Sequence, residues 1–184
     1  MKCNEIRAVY SQDTIRIYQA YSAKIANEAV TMGKFGSKFK MDRMTWIKPS
    51  FLWMMYRSDW GEKKDQEHIL AIDLKREGFD YAVRNAVLTT YQKDVYSSYE
   101  DWKHQIMVSD IRCQWDPERD IYGNALNCRT IQIGLKGGVL EKYVKEWIVN
   151  IADITKYTYC LKEMRDRQLD ISELLPNERI YQIS

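Results

Sequence analysis

DRMTWIKPSFLWMMYRSDW, residues 42–60, gathers Trp46, Trp53 and Trp60, three of the chain's six tryptophans, among Arg43, Lys48, Arg57 and Ser58. The segment is too apolar for a loop and too charged for plain core. Thr45-Trp46-Ile47 predicts a short strand, because β-branched and aromatic residues fit a half-buried pleated surface. Pro49 biases Lys48 away from helix and itself suits a first helical turn, so a helix is expected from Ser50 through Tyr56. FLWMMY gives that helix an apolar face with almost no polar relief. A helix this short is marginal alone, so tertiary contacts must hold it. Arg57 and Ser58 fall where the apolar run stops.

Outward from this stretch, short strands and helices alternate. Ile6–Tyr10 and Thr14–Ala20 predict strands around a Ser11-Gln12-Asp13 turn. Ser22 is a natural N-cap for a helix to about Met32, with Ile25, Ala26, Ala29 and Val30 on one face and Gly33 as its stop. Residues 33–41, GKFGSKFKM, read as a solvated connector or as a basic, anion-contacting lid. Downstream, His68–Leu74 predicts a buried strand and Glu77–Leu88 a helix. Ser97-Ser98-Tyr99-Glu100 is a capping-box signature for a helix to about Val108. Ile111–Trp115 predicts a strand ended by the charged turn Asp116-Pro117-Glu118-Arg119-Asp120, and Cys128–Leu135 another. Gly137-Gly138 introduces a short helix through Lys145, and Trp147–Ile151 reads as strand. Asp153 caps a final helix, Ile154–Arg167; then come a short helical piece and, after Pro176, a polar tail. Without a regular βαβ rhythm, these elements favour one α+β domain over residues 1–184.

Composition removes several function classes. A net charge of +2 argues against bulk electrostatic binding of nucleic acid, though a local basic groove is compatible with it. Cys3, Cys113, Cys128 and Cys160 form no C-x-x-C pair and no His stands at zinc spacing, so no metal site is expected. The longest apolar run, FLWMMY, falls far short of the roughly 20 residues that cross a bilayer. The start MKCNEIRAVY is too polar for a signal segment, which together predicts a cytoplasmic protein with reduced thiols. G-x-G-x-x-G, G-x-x-x-x-G-K-[ST] and G-x-S-x-G are all absent. His68 and His104 leave little room for Ser-His or Cys-His catalysis. The anomaly is aromatic: 13 tyrosines, 6 tryptophans and 4 phenylalanines suit a rich core, a stacking surface or a partner interface.

RMTWIKPSFLWMMYRS, IRIYQAYS (15–22), ILAIDLKREGF (69–79), QWDPERD (114–120), RTIQIGLKG (129–137) and EWIVNIADIT (146–155) resemble, in order, domain-of-unknown-function family 4291. That name carries no chemistry. The opening unit IRIYQAYSAKIANEAVTMGKF and the closing unit YVKEWIVNIADIT are similar to the first and last signatures of ADP-ribosyltransferase-like domains. This resemblance implies a split, mostly antiparallel sheet whose cleft grips NAD without a Rossmann motif. It implies Glu146 as the catalytic carboxylate beside the ribose, where cleavage develops an oxocarbenium-like charge. Gln19 stands where that pattern has His or Arg, and a glutamine can still bind a ribose hydroxyl.

Tyr18, Tyr21, Trp46 and Tyr56 are the candidates for stacking on nicotinamide, and Arg16, Arg43 or Arg57 for holding the pyrophosphate bidentately. Gln114, Asp116 and Arg119 form a candidate loop touching nucleotide or acceptor, or simply a salt-bridged turn. Glu146 alternatively ends a helix or pairs with Lys142, Trp46 sits in core, and Arg57 caps a helix. The reading is therefore an NAD-dependent ADP-ribosyltransferase-like enzyme acting on a protein or nucleic-acid acceptor, with Glu146 facing Gln19 across an indole-lined crevice. Its rivals are a single-stranded nucleic-acid module and a protein-interaction domain.

Overall fold

The computed structural model describes residues 4–183, so Cys3 lies outside the described residues. β1 (Arg7–Ala8) turns at Ser11, whose hydroxyl accepts the Asp13 and Thr14 N–H groups, into β2 (Thr14–Tyr21). Helix α1 (Ala23–Met32) runs from Ser22 to Gly33, which ends it at φ 66°, a left-handed conformation that costs glycine little. The central stretch folds as its sequence predicts, into β3 (Thr45–Ile47) and α2 (Phe51–Ser58). Ser50 caps α2, its hydroxyl accepting the Trp53 N–H at 3.1 Å.

β4 (His68–Lys75) is buried on both faces and leads directly into α3 (Arg76–Arg84). This helix stops short of the expected Leu88. Val87 and Leu88 instead form β5, where the Leu88 N–H donates to the Tyr96 hydroxyl and the Thr89 N–H to the Cys113 carbonyl. Those long-range bonds outweigh the local helical pattern. α4 (Tyr99–Val108) starts at Ser98, whose hydroxyl accepts the Asp101 N–H at 3.0 Å.

β6 (Ile111–Arg119) and β7 (Ala125–Leu135) make the longest hairpin. The expected turn at 116–120 is a correction: the strand continues through Pro117, with a register shift before Arg119, and Asp120 organises the turn by accepting the Tyr122 and Asn124 N–H groups. α5 (Gly137–Lys142) widens into a π-helical turn, Tyr143–Trp147, before β8 (Ile148–Asp153). Asp153 accepts the Thr155 N–H at 2.8 Å at the head of α6 (Thr155–Asp166). A 3₁₀ turn, Ser172–Leu174, precedes β9 (Arg179–Ile180). The polar tail is thus a strand pairing with β1, and Glu178 beside it accepts the Phe51 N–H at 2.7 Å.

Two larger sheets result, ordered β2-β4-β8 and β3-β7-β6-β5, antiparallel except at β5–β6. Both faces of the first are covered. Ile15, Ile17, Ile72 and Leu74 share a core with Ala26, Ala29, Phe79 and Trp147, whereas Tyr18, Ile69 and Ala71 pack with Phe51, Met54, Met55 and Leu161. Each fully buried aliphatic side chain contributes roughly 1.5–3 kcal/mol, which is what secures a helix as short as α2. Among the described residues no helix is long and apolar enough to cross a membrane.

Candidate functional site

The sheets meet at one isolated bridge, where the Tyr18 N–H donates to the Lys48 carbonyl at 2.8 Å. Past it, a side chain replaces backbone pairing. Gln19 Nε2 donates to the Trp46 carbonyl at 2.9 Å, and the Tyr143 hydroxyl donates to Gln19 Oε1 at 2.7 Å. With Gln19 only 4% exposed and Tyr143 fully buried, these bonds fix the amide's orientation. Burial holds the Tyr143 and Tyr21 phenols well above their ordinary range, so both stay neutral.

A cavity of about 660 Å³ opens beside this seam. That volume lies within the range of small-molecule sites. Gln19, Tyr21 and Ser22 line it from the end of β2, Thr45 and Trp46 from β3, and Trp53 and Arg57 from α2. Phe39, Lys40, Arg43 and Met44 close one side, Gln66 and Gln132 others. Arg57 Nη1 donates to Gln66 Oε1 at 3.2 Å, tying the last turn of α2 to the loop that follows it. The wall thus combines indoles, guanidiniums and amides, and its one carboxylate, Asp65, stands on an exposed loop.

Lys48 is the buried charge of this wall. Its side chain is 1% exposed; Nζ donates to Asp116 Oδ2 at 2.9 Å and sits 3.5 Å from the Trp53 ring centroid. Asp116 also accepts from Gln114 Nε2 and Gln132 Nε2, both at 2.7 Å. Desolvation pulls the Lys48 ammonium down to about 8, and the attraction of Asp116 recovers only part of the loss.

Of the candidates named from the sequence, Gln19, Tyr21, Arg43, Trp46 and Arg57 line this cavity. The other candidates do not line it. Tyr18 alternates to the other face of β2, against Phe51 with ring centroids 5.4 Å apart, and its hydroxyl is buried without a hydrogen-bond partner. Glu146 is exposed and does not line the cavity. In the Tyr143–Trp147 turn the apolar Tyr143, Val144 and Trp147 take the inward positions, leaving Lys145 and Glu146 outward. Tyr143, not Glu146, is therefore the group that reaches Gln19. Gln114 lines a second cavity of about 450 Å³ with Trp115, Cys113 and Arg129. Arg119 lies over the Tyr56 ring at 3.8 Å and donates to the Gly123 carbonyl. Asp116 supports the wall from behind through Lys48 and Gln132. Arg16 is clamped bidentately by Asp73 at 2.8 and 2.9 Å.

Sequence reasoning passed over Lys48, Trp53 and Gln132 as site residues. Gln132 had a signal: it is the polar member of the otherwise apolar run Ile131–Leu135, opposite Gln114 in register. Among the described residues no group of three or more His, Cys, Asp or Glu is placed to hold a metal ion.

The chain belongs to the family described as Domain of unknown function (DUF4291), whose model matches residues 5–181. Among curated proteins, none matches it.

Proposed function

We propose that this DUF4291 chain is an NAD-dependent, ADP-ribosyltransferase-like protein that holds the dinucleotide in the cleft between its two sheets and modifies a protein or nucleic-acid acceptor. The observation that carries the reading is the wall itself. Trp46 and Trp53 offer faces for base or nicotinamide, Arg43 and Arg57 suit a pyrophosphate, and Gln19 and Gln132 suit ribose hydroxyls. Each part of a dinucleotide finds a partner chemistry there. Bound NAD supplies an activated glycosidic bond, and the chain's part is to orient the ribose and exclude water. Gln19 is suited to orientation because Trp46 and Tyr143 already fix its amide. With Glu146 outside the cavity, Asp116 is the carboxylate hydrogen-bonded to the wall's own Lys48 and Gln132.

The test is thermal denaturation and calorimetry with NAD, ADP-ribose and single-stranded RNA. NAD and ADP-ribose are expected to raise Tm saturably, and Trp46→Ala to abolish the shift. No shift with NAD, alongside a salt-dependent shift with RNA, replaces this reading with a nucleic-acid module built on Lys34, Lys38, Lys40 and Arg43.

A further inference from the structure

Lys48 has a place in the cavity that simple ion-pairing does not require. Its ammonium has three N–H donors, of which Asp116 takes one and the face of Trp53 another. Both Lys48 and Trp53 contribute to the wall of the cavity. The charged groups felt by this amine are Asp116 and Glu118, which favour its cation, and Arg119, which opposes it. The cavity offers few rivals as a nucleophile. It contains no cysteine or histidine, the hydroxyls of Ser22 and Thr45 have no adjacent base in its lining, and Lys40 stands exposed at the rim. A desolvated lysine in the wall of a ligand cavity is the form in which this side chain attacks carbonyl carbon.

We infer that Lys48 is a covalent-binding residue that forms a reversible imine with the anomeric carbon of a ribose 5-phosphoryl ligand in its open-chain aldehyde form. The inference rests on the nucleotide-cleft reading only for the phosphate contacts, which Arg43, Arg57 and Lys40 would supply. In the step, the neutral amine's lone pair forms a C–N bond to the aldehyde carbon while the carbonyl oxygen takes up a proton. The carbinolamine then expels that oxygen as water, leaving a protonated imine. The proton that the ammonium releases to free its lone pair is balanced by the one taken up at the departing oxygen, so the imine cation beside Asp116 and the Trp53 face carries the same charge as the ammonium it replaces. Free ribose 5-phosphate and ADP-ribose share this chemistry. Intact NAD does not, because its anomeric carbon is bonded to nicotinamide.

The experiment incubates the full chain with ribose 5-phosphate, ADP-ribose or NAD, adds sodium cyanoborohydride, and maps adducts by peptide mass spectrometry. Reduction adds hydride to the imine carbon and makes the link permanent. The expected result is an adduct concentrated at Lys48 with either aldehyde-bearing ligand, none with NAD, and loss of labelling in Lys48→Arg. The yield should rise between pH 7 and 9 as the amine is freed. Site mapping in the unaltered protein keeps the test valid even if the variant folds poorly. Scattered labelling of surface lysines, or none, overturns the inference. ADP-ribose binding without an adduct overturns it while leaving the cleft reading intact, whereas a Lys48 adduct in a chain that binds no NAD does the reverse.

Discussion

Replacing Glu178 with glutamine tests how the chain's last strand is locked to the wall of the cleft. Glu178 accepts the first amide of α2, Phe51 N–H, at 2.7 Å, while Glu118 accepts the Ser50 hydroxyl at 2.7 Å at the same helix end. A helix N-terminus favours a carboxylate. Burial acts against it, joined by the nearby charge of Glu118, and the Glu178 carboxyl is pushed up from 4.5 to about 8. Its folded-state pKa is raised, so between those two values the native state keeps a proton that the unfolded chain has released. Stability from this group is therefore complete below pH 4.5 and lost as pH climbs toward 8. At about 1.4 kcal/mol per pKa unit the ceiling is roughly 5 kcal/mol, which the partial exposure of this side chain reduces to about 2–3 kcal/mol. For a domain of this size, about 2 kcal/mol corresponds to roughly 4–8 °C in Tm. Glu178→Gln keeps an acceptor oxygen for Phe51 but cannot ionise. Thermal melts of both proteins from pH 4.5 to 8.5 should nearly coincide at the acid end and separate progressively, with the variant more stable at pH 8. Parallel Tm profiles would mean that Glu178 carries no proton and that the buried-carboxyl account of this helix end is wrong.

Three further perturbations probe the packing and the site. Gly78→Ala places a Cβ about 2.5 Å from the buried Trp147 ring, so urea denaturation should show a loss of roughly 1–3 kcal/mol. Tyr143→Phe strips the buried Gln19 Oε1 of its donor; a loss of roughly 1–3 kcal/mol in stability and weaker NAD binding by calorimetry are expected. Glu146→Gln should leave NAD affinity and any NAD turnover at wild-type levels, since this exposed residue is outside the cavity, while Asp116→Asn should weaken both by removing the charge that holds Lys48. A nicotinamide-release assay on the two variants separates them, and a selective defect in Glu146→Gln would return that residue to the site.

Much of the fold was legible locally. The strand Thr45–Ile47, the stop at Gly33 and Asp153 at the head of α6 each follow from a few adjacent residues, because β-propensity, capping and left-handed glycine are short-range effects. Where local pattern met a distant partner, it lost. Val87-Leu88 left the helix for β6, β6 ran through its expected turn to follow β7, and the polar tail became a strand on β1. The candidate site divides along the same line. Trp46, Arg43 and Arg57 could be named from the sequence because they crowd one segment and its neighbours.

The contacts that hold that segment in place could not. Gln19 meets Tyr143 across 124 positions, Lys48 meets Asp116 across 68, and Phe51 meets Glu178 across 127. From the sequence came the kinds of element and the chemistry available to the cleft; tertiary structure alone decided which side chains face it, turning Glu146 outward and Lys48 inward. The physical reason is that helix and strand signals are set within a few residues, whereas facing depends on sheet register and on which polar groups find partners once water is excluded.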